Sequence, residues 1–338
     1  MKTRFVASAQ IVFARCRTLI KRLLWSVGAL CIISVIPSMI ASNQWWLRIF
    51  DYPRQQFTLI SLLVLLAAGF ALKWESLQTK LFLALLGLAV VYQIGLLMPY
   101  TVVYPKAIAT ASATETTFSL LVSNVKMANR QADRYLALIH QSDPDLILVI
   151  EPDAWWQQQL QSLHATHPFS VEHPRNNHFG MSLYSQIPLQ DSAINYFDSR
   201  SNAPSLYTVL VFPAGQQVIL HGIHPRTPLP GVSQDLADEE ILRMARFAQA
   251  AQRPVIVAGD FNDVPWSHTM GQFKQISGMD DPRIGRGFYN TFSAYNRLLR
   301  YPIDHAYFSH QLQLVRFERL PPFGSDHFAL LVTLALAE

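Results

Sequence analysis

Gly259-Asp260-Phe261-Asn262 closes the apolar run Val255-Ile256-Val257-Ala258. Side chains two residues apart on an extended strand share one face, so the Asp260 carboxylate and the Asn262 carboxamide can reach one cation or one phosphate. Alone, the pattern equally describes a turn in which an Asp caps the strand end. The same kind of group recurs at other run ends. Asn124 ends Phe-Ser-Leu-Leu-Val-Ser-Asn, and Glu151 ends Leu-Ile-Leu-Val-Ile-Glu. His221 and His224 end Val-Ile-Leu-His-Gly-Ile-His. Asp304 and His305 follow Tyr-Pro-Ile, and Asp326 and His327 stand in Gly-Ser-Asp-His before the last apolar run. Each group singly is a capped turn or a satisfied polar side chain; their repetition in one local setting argues for a shared site. Carboxylates and carboxamides without thiolates suit a hard cation such as Mg2+ or Mn2+. Histidines beside them suit charge stabilisation at a phosphoryl group.

The elements that must position these groups alternate short apolar strands with amphipathic helices. The patterning predicts strands at 118–124, 146–150, 181–185, 205–212, 217–224, 255–258, 303–308, 312–317 and 328–336. It predicts helices at 133–141, 154–164 and 235–251, the last with Leu236, Ile241, Leu242, Met244 and Phe247 as its buried stripe. Helices interspersed among many strands predict two sheets packed face to face with helices outside.

Asn124, Glu151, the His224-Pro225 step, Gly259-Asp260-Phe261-Asn262, Ile303-Asp304-His305 and Ser325-Asp326-His327 fall in a familiar order. In that order the chain resembles the endonuclease/exonuclease/phosphatase superfamily over about residues 117–338. That family takes in deoxyribonuclease-I-like nucleases, neutral sphingomyelinases and inositol phosphatases. The resemblance implies an α+β fold, a four-layer αββα sandwich. It implies that Glu151 binds the divalent cation with Asn124 and Asp326 close by. Asp260 would orient or deprotonate the attacking water, and Asn262 would hold the phosphate. His327 would contact the phosphate, its ring fixed by Asp304, and His224 would assist the leaving oxygen. His221 competes for that last place; the proline after His224 favours His224. Where the family often has Gln before its metal-binding Glu, this chain has Ile150. Glu172 and Asp198 are the candidate carboxylate partners of His224. The segment 175–180, with Asn177 and His178, stands where the family has a substrate-side loop; substrate binding and a simple turn are both open readings. The implied activity is Mg2+- or Mn2+-dependent phosphoester hydrolysis on a nucleic acid, a nucleotide or a lipid headgroup. A sphingomyelinase-type lipid phosphodiesterase and an inactive binding module of the same fold are the alternatives.

Ahead of this region lie three runs, 23–41, 57–72 and 81–100, without a charged residue. A spanning helix needs roughly 20 mostly apolar residues, so the runs predict membrane helices at about 23–41, 55–73 and 81–100. Residues 101–116, rich in Ala and Thr, read as a short linker. Lys2, Arg4, Arg15, Arg17, Lys21 and Arg22 precede the first run and place the amino terminus in the cytoplasm. Three spans then put the remaining domain outside, in the periplasm if the membrane is a bacterial inner membrane; were the short second run not to span, the domain would be cytoplasmic. The first run read as a signal peptide leaves the domain on that same side. Trp45, Trp46 and Tyr52 in the first loop suit an interfacial aromatic belt. No charge lies inside a run, which gives no support to an ion pathway.

Charge divides the chain at the linker. Residues 1–116 hold 11 Lys/Arg against 3 Asp/Glu, whereas residues 117–338 hold 16 against 20, a balance of −4, and all 11 histidines. A net-acidic domain is poorly suited to holding a polyanion by phosphate neutralisation. Both cysteines, Cys16 and Cys31, precede it, so it uses no disulfide, thiolate metal ligand or cysteine nucleophile. For Trp155 and Trp156, just past Glu151, an interfacial patch and core packing are both open. The oligomeric state is not legible.

Overall fold

The computed structural model describes residues 2–111, 116–197, 202–227, 230–231 and 233–336, with side chains from Val12 onward. Apolar alternation builds two sheets from residue 117 on. The first contains β1 (Thr117–Asn124), β2 (Leu146–Ile150), β3 (Phe169–His173), β4 (Met181–Ser185), β10 (Leu312–Arg319) and β11 (Leu330–Leu336), in the order β10-β11-β1-β2-β4-β3. The second runs β5 (Leu189–Asn195), β6 (Ser205–Val211), β7 (Gln217–Ile223), β8 (Val255–Asp260) and β9 (Asp304–Phe308) in chain order. Alternate residues of each strand face opposite ways. Leu120, Val122, Leu148, Leu220, Ile256 and Ala258 fill the space between the sheets. Leu121, Ile147 and Val149 face away, under α5 (Ala132–Ser142) and α6 (Ala154–Leu160). Ile219, Val255 and Val257 do the same under α7 (Asp235–Ala250) and α8 (His268–Ser277). The result is the four-layer αββα sandwich expected from the sequence.

Register sets the rim where chemistry collects. β1 and β2 run parallel with Asn124 opposite Ile150, so Asn124 and Glu151 leave the first sheet together. β7 and β8 run parallel with Ile223 opposite Gly259, and Asp260 pairs with Asp304 of β9. Three elements of the sandwich were not predicted. β3 and β5 are edge strands with half-exposed, polar sequences that lack an apolar run. α8 is short and carries Gly271, and is set by its Ser267 cap, which accepts from the Met270 amide at 3.1 Å. Trp156 is fully buried against Tyr135, and Arg130 stacks over Trp155 at 4.6 Å. Core packing, not a lipid-facing patch, accounts for both tryptophans.

The amino-terminal region forms α1 (Lys2–Val35), α2 (Trp45–Arg48), α3 (Arg54–Ala71) and α4 (Leu77–Leu97). Three segments, Val12–Met39, Arg54–Ala71 and Leu77–Tyr100, are long and apolar enough to cross a membrane by length and composition. α1 starts well before the apolar run because its basic segment contains no helix breaker. Cys31, Val64, Ala68, Phe82 and Leu86 pack among the three helices, while Leu30, Leu63, Phe70 and Leu88 stay exposed.

The helices are joined to the sandwich by more than chain connectivity. Arg48 ion-pairs with Asp238 of α7 and, at 2.6 Å, with Asp263 just beyond β8, all three being buried. Trp266 donates its indole N–H to the Asp51 carbonyl at 2.8 Å, and the Tyr100 hydroxyl donates to the Pro265 carbonyl at 2.8 Å. Residues 105–111 are not a free tether. Ile108 packs on the inter-sheet core, and the Ala111 amide donates to the Leu314 carbonyl at 2.8 Å, on the otherwise open edge of β10. Removing one partner of a buried ion pair strands the others without compensation. We expect Arg48→Ala to destabilise the full-length protein by about 3–5 kcal/mol. Thermal unfolding in detergent checks this; an unchanged midpoint would show that the contact carries no weight.

Candidate functional site

Between the strand ends lies a cavity of about 550 Å³, lined among others by Glu151, Asp260, Asn262, Asp326 and His327. Asn124, buried at the end of β1, donates from Nδ2 to Glu151 Oε1 at 3.1 Å and to Asp260 Oδ2 at 3.0 Å. One carboxamide thus ties the two sheets together at the rim. Glu151 adopts a left-handed backbone (φ 64°). Its amide donates to the Gly180 carbonyl at 2.9 Å, and its Oε2 accepts from the Met127 amide at 3.1 Å. Gly180 is required there, since a Cβ would lie 1.9 Å from the Pro152 carbonyl oxygen.

Asp260 Oδ1 accepts from the Asn262 amide at 2.9 Å, and Asn262 Nδ2 donates to the Pro225 carbonyl at 3.0 Å. Gly259 (φ +146°) permits this turn to press on β7, where a Cβ would sit 2.0 Å from the Ile223 oxygen. His327 Nδ1 bonds Asp304 Oδ2 at 2.8 Å, which leaves Nε2 3.7 Å from Asp260 Oδ2. The Ser325 hydroxyl donates to the Asn124 carbonyl at 2.7 Å and fixes the terminal Ser-Asp-His turn on β1.

Charge is set by burial. Burial raises the Asp260 carboxyl, the neighbouring Asp304 adds to that, and His327 and the bonds from Asn124 and Asn262 oppose it. Burial opposes the His327 cation, but Asp304 and Asp260 outweigh it and raise its pKa. Glu151 is held below the usual carboxylate range: burial works against this, but the nearby His224 ring and bonds from His178, Asn124 and Met127 prevail. Asp260, Asp304 and His327 bring ligand-type atoms within 4.8 Å of one another and form a group able to hold a metal. In that group Asp304 and His327 already engage each other, whereas Glu151 and Asp326 line the cavity. Glu151, engaged by Asn124, His178 and Met127, and Asp326, engaged by Lys126, also offer oxygen donors of the kind a hard divalent cation takes.

His178 also lines the cavity, with Nδ1 3.0 Å from Glu151 Oε2. Asn177 does not: it closes a local turn, its Oδ1 accepting from the Phe179 amide at 3.2 Å. His224 is buried beside Phe179, outside the lining, with Nε2 3.8 Å from Asp260 Oδ2. Glu172 is not its partner, since Gln157, Tyr184 and His164 take its oxygens; Asp198 lies outside the described residues. His221 is not at the site. The two histidines sit three residues apart, and the pleat turns the His221 ring to the outer face, between Tyr207 and Phe247 under α7. Sequence reasoning missed Lys126, whose Nζ bonds Asp326 at 2.9 Å, though it stands two residues past Asn124. It also missed Trp45, Ile49, Tyr52 and Pro53, which wall the cavity from the helical unit. Nothing in their local pattern distinguishes them from an interfacial loop.

Residues 121–327 match the Endonuclease/Exonuclease/phosphatase family. The chain belongs to that family. Its members hydrolyse phosphoester bonds and use divalent metal ions. No curated protein matches the sequence. Among solved structures, the fold is similar to the family's protein from Bacteroides vulgatus (17% identity, TM-score 0.54, 66% of this chain and 100% of that one). It is similar to D. rerio TDP2 complexed with a single-strand DNA product (16%, 0.55, 65% and 99%). It is also similar to the human Nocturnin catalytic domain with bound sulfate (16%, 0.53, 66% and 97%). At these identities the likeness is one of fold.

His221 gives a test of its reassignment outside the family's rim. Burial lowers its pKa from 6.5 to about 4. The unfolded chain therefore binds a proton that the folded one refuses, and stability drops as pH falls through that window. The loss amounts to about 3 kcal/mol. We expect His221→Phe to retain hydrolytic activity and to remove this part of the acid-side loss, read as a smaller shift of the unfolding midpoint between roughly pH 7 and pH 4. An inactive, folded variant would return His221 to the site.

Proposed function

We propose that the protein is a membrane-integral, Mg2+- or Mn2+-dependent phosphoesterase that directs water in line at phosphorus. The observation that carries this reading is the convergence of Glu151, Asp260, Asn262, Asp326 and His327 on one cavity. The bound cation would be held by Glu151 and Asp326 with Asn124 beside them, and would neutralise charge on the phosphoryl oxygens. Asp260, oriented by Asn124 and the Asn262 amide, holds the attacking water and takes up its proton. His327, kept protonated by Asp304, donates from Nε2 to the phosphoryl group. Asn262 keeps one amide hydrogen for the same group after bonding Pro225. His178 orients Glu151, and His224 shapes the charge behind Asp260 without touching the substrate.

Residues 1–100 form the membrane anchor and 117–338 the catalytic domain in this reading. The exposed apolar belt on α1, α3 and α4 supports insertion, being far more than a soluble surface carries. The basic amino-terminal segment supports a cytoplasmic start and an extracytoplasmic catalytic domain.

The full-length protein should hydrolyse bis(para-nitrophenyl) phosphate or a phosphomonoester with Mg2+ or Mn2+ and stop in EDTA. Glu151→Gln and His327→Ala should each cost about 100-fold or more in kcat, and His327→Ala, which strands the buried Asp304, should also lower the unfolding midpoint. Activity that survives EDTA, or wild-type rates in either variant, would end this reading.

A further inference from the structure

The cavity is lined by two unlike sets of residues: Glu151, Asp260, Asp326 and His327 from the sandwich, and Trp45, Ile49, Tyr52 and Pro53 from the loop between α1 and α3. We propose that this loop is the substrate-selecting wall of the site, and that the substrate is a phosphoester bearing a long apolar chain, taken from a lipid surface. The proposal rests on the phosphoesterase reading above and names its substrate class.

Three observations carry it. The wall is built rather than loosely apposed. Arg48 in its middle is held by Asp238 and Asp263, the Tyr52 hydroxyl donates to the Asn262 carbonyl at 2.5 Å, and Trp266 holds the Asp51 carbonyl. The Tyr52 bond joins the wall to the very turn that carries Asp260 and Asn262.

The wall also stands where the apolar helices stop. The segment Val12–Met39 ends, Arg54–Ala71 begins and Leu77–Tyr100 ends on the sandwich side, so the cavity sits at the level of the helix ends. Between the end of the first apolar segment and the loop, Ile36, Met39, Ile40, Trp46 and Ile49 are each exposed by about half or more. A chain lying against these residues leaves apolar surroundings only where its phosphoester reaches the carboxylate rim. Tryptophans at such a level are at home at a membrane interface.

Finally, the cavity is poorly furnished for a polynucleotide. Among its described lining residues Lys126 is the one Lys or Arg, and it is paired with Asp326. The domain around it is net acidic. Backbone tracking along a nucleic acid depends on several cationic contacts.

The experiment uses the full-length protein in detergent micelles with two matched pairs of probes. The diester pair is hexadecyl and ethyl para-nitrophenyl phosphate; the monoester pair is hexadecyl and ethyl phosphate. For the pair that is turned over, kcat/KM should favour the hexadecyl ester by about tenfold or more. Ile49→Ser, and Trp45→Ser combined with it, should cut that ratio at least about fivefold. Ile49 is exposed, so the single variant does not disturb packing. A merely structural wall would lower both members of a pair in proportion and leave the ratio intact; that result overturns the proposal, as does a wild-type enzyme without chain preference. Single-stranded DNA turned over in preference to every alkyl ester would assign a nucleic acid instead. Hydrolysis of none of these substrates would remove the phosphoesterase reading itself, which chain-blind hydrolysis would leave standing.

Discussion

Burial of the Asp260 carboxylate between two sheets is the constraint that the rest of the site answers. A buried charge is tolerated only when it is hydrogen-bonded and paired. Here the partners come from three places in the chain: the Asn124 carboxamide from β1, the Asn262 backbone, and the His327 ring beyond the last turn, which Asp304 holds from behind. They meet because two parallel strand pairs end at the same rim and β9 returns beside β8. The strained positions gather at this point as well. Glu151 and Asn262 hold left-handed backbones and Gly259 has φ +146°. Such conformations persist where the surroundings over-determine them, and their gathering around one carboxylate is the cost of pre-arranging it.

A second buried charge set fixes what lies across the cavity. Arg48 stays firmly protonated because Asp263 and Asp238 outweigh its burial, and Asp263 lies three residues beyond Asp260. The wall and the catalytic turn are thus neighbours through one short stretch of backbone. A domain hung from a flexible linker would sample many orientations. The contacts of Arg48, Tyr52, Asp51 and Tyr100 leave this sandwich one orientation toward the helix ends. The bed of residues 105–111 along β10 removes the remaining slack.

The sequence made legible what depends on local pattern. Strands with apolar runs were readable because their burial is complete on both faces, as in Leu146–Ile150. The groups that line the cavity rim were readable because they end such runs. Edge strands β3 and β5 were not, since an edge needs few apolar residues. His221 and His224 show the limit more sharply. Both end one strand, and only the pleat decides that one faces α7 while the other faces Asp260. Lys126 and the Trp45–Pro53 wall depend on contacts across as many as two hundred residues, which no local spacing encodes.

That division bears on specificity. The matched family region, residues 121–327, contains every group that would handle a cation and a phosphoryl oxygen, whereas Trp45, Ile49, Tyr52 and Pro53 lie outside it. A fold shared with nucleic-acid-bound and sulfate-bound relatives therefore leaves the choice of substrate open, because fold does not fix function. Phosphoryl chemistry asks only for charge at one end of the cavity, and the αββα rim supplies it. Discrimination between phosphoesters must come from what meets the rest of the molecule. In this chain that surface is apolar, rigidly held and level with the ends of the apolar helices. On the proposed reading the helical unit would serve as a specificity loop as well as an anchor. The two proposed tasks are linked physically: the same Arg48 contacts that seat the domain against the helices bring the wall to the turn that carries Asp260 and Asn262.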